Sequence, residues 1–444
     1  MMRVVVAPLA LFTALALPLP AQQRPAGSPE RRVVNALRES SIWAPRRLLS
    51  SDGLDGRGTG ARGGDIAAQY IASQFMAMGL EPAGDSGTYF HQVPIVTLVP
   101  DAQLRAEGEP RPLRYRDDFV LWSEQPPERP SRPAAATYQT ADATGELVFV
   151  GFGISAPEWQ WDDYQGLDVR GKILLMLVND PGLRDATIFR GRILTYYGRW
   201  TYKLEEAARR GAAGVLLLHN DTMATYGWST VRNSWTGDQV RLLSPPTSLS
   251  WAGWITQSAA TELLATKGVN LAQAMNAAAR RDFHPIATGI AVTGHVQSTV
   301  RFSSAANVVG RIPGSESALR HQSVLITAHY DHLGIGQPAG GDSIMNGAVD
   351  NASGTAALLG MADAFTRSGV RPRRSLVFVA FTGEEQGLLG SKAFAQRPPQ
   401  PLASYAALLN IDVTNLYSAT RDVAALGTDQ STLGRFFDAA ARAE

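Results

Sequence analysis

Three short apolar runs in the last third of the chain constrain its fold more than any other feature. They lie at 324–328, 375–381 and 405–411, and helical patterns separate them at 355–366 and 387–395. Strands that are apolar throughout, instead of alternating, have both faces covered, and strands that alternate with helices form a sheet between helical layers. The expected fold class is α/β: a mixed, largely parallel sheet with helices on both faces.

Each run ends in side chains of one chemical kind. His329, Asp331 and His332 follow the first, Glu384 and Glu385 the second, and Asp412 the third, while Asp350 precedes the intervening helical pattern. In an open α/β sheet the ligand crevice lies beyond the carboxyl ends of the strands, so these groups can converge there. Converging carboxylates repel and resist ionisation unless a positive charge sits among them. With histidine and carboxylates present and cysteine absent from the chain, the donor set suits zinc or a similar ion. Singly, each feature has an ordinary explanation: an exposed Glu-Glu turn, a surface histidine, Asp350 as a helix cap. Repetition at successive strand ends is what points to a site.

The motifs AHYDHLGIG (328–336), GDSIMNGAVDNASG (341–354), EEQGLLGS (384–391) and NID (410–412), in this order, resemble the M28 zinc peptidases, the co-catalytic aminopeptidase group. The resemblance extends weakly to DGR at 55–57, GL at 79–80 and GD at 84–85. It implies two Zn2+ ions, with His329 and Asp412 on one, Glu385 on the other and Asp350 bridging both. Asp331 would orient the His329 ring, Glu384 would be the general base, and the substrates would be peptides cut at their N-terminal residue. Where the family carries Asp-Asp, this chain has Val349 and Asp350. The family's fifth ligand is a later histidine, and no histidine follows His332 here. The second zinc is therefore expected to lack its histidine unless His332 supplies it, and the fold's last strand and helix are expected to be missing beyond the helical run at 433–442.

The rest of the chain divides by composition. Residues 1–21 read as a secretory signal peptide: Arg3, then an apolar stretch interrupted by Pro8, Pro18 and Pro20, then Ala21. This implies a secreted or periplasmic protein with no stable membrane insertion after cleavage. Residues 22–135 are assigned to the N-terminal part of the peptidase domain and a linker, with the Pro- and Arg-rich stretch 96–140 as an irregular excursion. Apolar runs at 146–154, 171–178 and 214–219, with a helical run at 202–210, resemble a β-rich protease-associated (PA) domain inserted at 140–290. The catalytic domain is 300–444. A G-x-G-x-x-G match at 58–63 follows no apolar strand and is set aside as a nucleotide site. His219, ending a strand, is expected to be structural or on the surface.

Charge excludes further classes. Forty-one Lys and Arg against 40 Asp and Glu give a net charge of +1, too little field for gripping nucleic acid or an anionic membrane. Competing readings are a carboxypeptidase of the same family, which an arginine cluster beside the zincs would favour, glutaminyl cyclisation on a similar scaffold, and a catalytically impaired binding protein. Oligomeric state is not legible.

Overall fold

Seventeen paired residues between Phe90–Ala106 and the strand Ile286–Ile312 form the longest ladder of the fold. The computed structural model describes residues 27–128, 137–243, 247–339, 341–414 and 424–443; the proposed signal segment 1–21 lies outside them. Over 288–300 the long strand alternates, with Thr288, Ile290, Val292, Val296, Ser298 and Val300 turned inward. From Asn307 to Gly310 every residue is buried. The change marks where a sheet with one dry face becomes a sheet covered on both.

Among the described residues the strand belongs to a twelve-stranded mixed sheet. On one side lie Ser375–Phe381, Ser323–His329 and Tyr405–Asn410, the last two pairs parallel. On the other lie Thr137–Phe149, Ile173–Leu177, Gly214–His219 and Trp251–Thr256, again parallel to one another, with antiparallel Phe119–Ser123 at the end. The first wing thus has the expected parallel pairing, the second wing is parallel as well, and the long antiparallel strands join them.

In the first wing the period of two along each strand sorts side chains into two cores. Val308, Ile326, Leu376, Phe378 and Ala380 pack with Ala67, Ile71 and Phe75 of helix Arg62–Ala77 and with Leu358, Leu359 and Ala362 of helix Ala352–Ser368. Val309, Leu325, Val377, Val379 and Phe381 pack on the opposite face with Phe394 of helix Leu389–Gln396. Helices therefore cover both faces. Each fully buried aliphatic or aromatic side chain adds about 1.5–3 kcal/mol.

The second wing has its own core, reaching from Ala102 to Val296. That is wider than the expected 140–290 block. The stretch 96–140 is also not a simple excursion: Phe90–Ala106 is one strand, and Phe119–Ser123 is wholly buried. Pro94 and Pro100 lie within that strand. They are accommodated because the outer edge of Phe90–Ala106 is paired only over Ile95–Leu98, between the two prolines. Of the Pro-rich segment, residues 129–136 lie outside the described part. No helix among the described residues is long and apolar enough to cross a membrane.

Candidate metal centre

The loops at the carboxyl ends of the first wing's strands are pinned to one another before any site chemistry is considered. Asn351 caps helix Ala352–Ser368, its Oδ1 accepting from the Gly354 amide at 2.9 Å, and its Nδ2 donates to the Ile411 carbonyl at 2.9 Å. The cap is thus Asn351, leaving Asp350 free to face the strand ends. Thr355 Oγ1 donates to the His329 carbonyl at 2.7 Å, and Thr327 Oγ1 to Asn410 Oδ1 at 2.7 Å. The backbone at His329, after Asp350 and before Asp412 is therefore pinned together.

Two groups of ligand-type side chains result. His329, Asp350 and Asp412 form one, and His332, Asp350 and Glu385 the other, with the candidate ligand atoms of each group within 4.8 Å of one another. Asp350 belongs to both. His329 Nε2 lies 3.0 Å from Asp350 Oδ1, 3.5 Å from Asp412 Oδ1 and 3.9 Å from Glu384 Oε2. His332 Nδ1 lies 2.5 Å from Glu385 Oε1. Every residue singled out from the strand ends is thus brought to one place. His332, considered only as a substitute ligand, is the histidine of the second group.

The electrostatics ask for a cation. Burial pulls the His329 imidazole down, but Asp331, Asp412 and Glu384 outweigh it and push its pKa up to about 11. Burial raises the Glu384 carboxyl to about 7, opposed by His329 and reinforced by Glu385, Asp331 and Asp412. The neighbouring His329 imidazole lowers Asp412. His329 Nδ1 lies 3.2 Å from the Asp331 carbonyl oxygen, which fixes the ring and suits an N–H on that side. Nε2 is buried without a hydrogen-bond partner despite Asp350 at 3.0 Å. A nitrogen with no hydrogen-bonding geometry, aimed into carboxylates, is the arrangement of a metal ligand. The donor set, two imidazoles and three carboxylates without sulfur, fits zinc.

Two neighbours hold these side chains. The Asp331 carboxylate is fully buried and accepts from Thr59 Oγ1 at 3.0 Å, the Glu384 amide at 3.1 Å and the Glu385 amide at 3.4 Å. Its oxygen is 3.6 Å from His329 Nδ1. It therefore holds the glutamate loop more closely than the histidine ring it was expected to orient; the ring is fixed by the same residue's backbone.

Arg57 is also fully buried. It donates to the carbonyls of Tyr330 at 2.6 Å, Asn346 at 2.7 Å and Gly347 at 2.9 Å, and to that of Leu49. Its own carbonyl accepts from the His332 amide at 3.2 Å. Burial lowers its pKa to about 10, against the pull of Asp331, Glu385 and Asp350, so the guanidinium stays charged. Arg57 has a φ of 52°, and the Gly56 beside it has no room for a Cβ, which would sit 2.4 Å from the Gly334 carbonyl oxygen. The sequence signal for this residue was only the short DGR resemblance. The glycines of 58–63 pack in the same region: a Cβ on Gly63 would meet the Leu54 carbonyl oxygen at 1.7 Å. His219 is a buried structural histidine, its Nε2 3.0 Å from the Tyr226 carbonyl oxygen.

Residues 307–444 match Peptidase family M28, so that segment is similar to the M28 peptidases. A probable zinc metalloprotease of Pyrenophora teres f. teres is 39% identical over 106 residues, 24% of this chain and 22% of that protein. A vacuolar membrane protease of Eremothecium gossypii is 32% identical over 124 residues, 28% of this chain and 11% of that one. The chain thus spans a quarter or less of the length of these relatives. An aminopeptidase from Aneurinibacillus is similar in structure, with 20% identity over 88% of this chain and 74% of that chain and a TM-score of 0.42.

Proposed function

We propose that this chain is an exported, zinc-dependent aminopeptidase that hydrolyses N-terminal residues from peptides. The observation that carries the reading is the sharing of Asp350 between two triads, with Glu384 3.9 Å from His329 of the first. In this reading His329, Asp350 and Asp412 hold one Zn2+, and Asp350, Glu385 and His332 hold the other. Bound zinc supplies Lewis-acid polarisation of the scissile carbonyl and activates water. Glu384 takes the water's proton and passes it to the leaving amine. Asp331 keeps Glu384 and Glu385 pointing apart by holding both amides of their loop. The segment 1–21 serves export, and the second wing contains the inserted PA-type unit. A carboxypeptidase would need free guanidinium groups beside the triads for the substrate carboxylate. Arg57, the arginine whose charge acts on them, is occupied by four carbonyls.

Glu384→Gln tests the reading most directly, since it keeps shape and removes the base. Hydrolysis of aminoacyl-p-nitroanilides should fall by about 10²–10⁴-fold with zinc per chain unchanged in atomic absorption. Retained turnover would place the base elsewhere; lost zinc would mean that Glu384 and Glu385 exchange roles.

A further inference from the structure

A cavity of about 940 Å³ reaches the glutamate loop and, through Glu385, the second triad. Glu385 and Gln386 line it. Ligand pockets commonly span ~300–1,000 Å³, so this one exceeds what a single amino acid requires. Its two long walls come from different wings. One is the hairpin of Gly334–Ala339 and Asp342–Met345, with Leu333 and Ile335 exposed at 52% and 64%. The other is the second wing's tryptophan cluster: Trp235 stacks on buried Trp122 at 3.8 Å and 16°, and Trp200 meets Trp235 edge-on at 5.2 Å. Trp122 thus fixes Trp235, while Trp200 and Trp235 are only half-buried.

Backbone and polar groups add to the apolar walls. Gly334–Ala339 pairs only with Asp342–Met345, and Gln239–Leu242 pairs only with Phe90–Ala106, so among the described residues each strand bordering the cavity has one edge without a neighbour. Such edges take extended peptides by adding a strand. Arg241, on the second of them, donates to the Ser123 carbonyl and leaves its other terminal nitrogen buried without a partner.

We propose that this cavity is a subsite for an extended peptide, seating a large apolar or aromatic side chain against Trp200 and Trp235 while the reactive end of the peptide lies at Glu384 and Glu385. The inference rests on the peptidase reading and goes beyond it in assigning substrate selection to the second wing. It predicts a preference for oligopeptides with an aromatic residue several positions from the scissile bond.

The test uses the full chain and hexapeptides sharing one N-terminal residue, with a single Phe moved through the remaining positions of an otherwise Ser-containing sequence. At one distal position Phe should raise kcat/KM about tenfold, the scale of a well-packed aromatic contact. Trp235→Ala should bring the Phe-to-Ser ratio near one, whereas Trp235→Phe should keep most of it. Should Trp235→Ala fail to fold, Trp200→Ala and the wild-type position scan decide the same question. A flat scan, or a ratio that survives Trp235→Ala or, where that variant does not fold, Trp200→Ala, would overturn the subsite. A calorimetric titration of the Phe hexapeptide into Glu384→Gln protein separates the two readings. Binding that Trp235→Ala weakens about tenfold, in a protein whose wild type cleaves nothing, would sustain the subsite and sink the peptidase reading. Cleavage without distal preference would do the reverse.

Discussion

The two triads share Asp350 but are built differently. His329 ends a central strand, is 3% exposed, and has its far nitrogen beside a backbone carbonyl. His332 sits three residues on, in a loop, with side-chain exposure of 15% and its Nδ1 held by Glu385, the other side chain of its own triad. The first site is therefore preorganised by the sheet, whereas the second depends on its own ligands to hold each other. Rigid second contacts matter because an imidazole free to turn must be ordered by the metal itself. A metal should consequently enter the first triad more tightly than the second.

The change that should erase the comparison is Asp350→Ala, because it removes a carboxylate from both groups at once. Zinc should fall from about two ions per chain to one or fewer, since each remaining pair has fewer than the roughly three protein ligands zinc sites use. Two ions retained after dialysis would refute the shared-bridge assignment.

Arg57→Met probes what both triads stand on. The substitution leaves the carbonyls of Leu49, Tyr330, Asn346 and Gly347 without their donor and removes the fixed charge behind Asp331, Glu385 and Asp350. Losing one member of a buried charged network costs about 3–5 kcal/mol, which thermal unfolding of the metal-free protein would read as a clear drop in Tm. Arg57→Lys should recover only part, because an ammonium group cannot span four carbonyls in a planar fork. A Tm within error of wild type would show that the loops hold themselves.

The sheet of the first wing and the convergence of its strand-end residues were legible because local pattern and topology agree there. Continuous apolar runs specify strands covered on both faces, and such strands leave polar residues only at their ends. The second wing was legible in its elements and less so in its extent. Strand Gly214–His219 falls where the apolar run lies, yet Phe119–Ser123 was hidden in a Pro-rich stretch, since its burial comes from pairing with Trp251–Thr256 far along the chain. Arg57 was hidden for a related reason. A buried arginine is unusual by residue type, and its acceptors are backbone carbonyls that carry no sequence signature. Asn351 hid as a cap beside an acidic residue equally able to fill that role. What the sequence withheld was long-range pairing and main-chain chemistry.

The smallest expected effect is also the one that tests the asymmetry itself. His332→Ala leaves His329, Asp350 and Asp412 untouched and removes from the second triad its only nitrogen. It should leave one tightly held zinc, while the second weakens by more than the roughly 10–100-fold seen when a group that only supports a ligand is lost, because a direct ligand is removed. His329→Ala should behave differently, taking the tight ion away and leaving a buried gap where the strand ends. Titrating a zinc-binding dye against each metal-free variant measures both affinities without relying on turnover. Equal losses from the two substitutions would mean that the loop histidine is as firmly placed as the strand histidine. No loss from His332→Ala would mean that its 2.5 Å contact with Glu385 is only a hydrogen bond beside the site, and that Asp350 and Glu385 hold the second ion with other ligands.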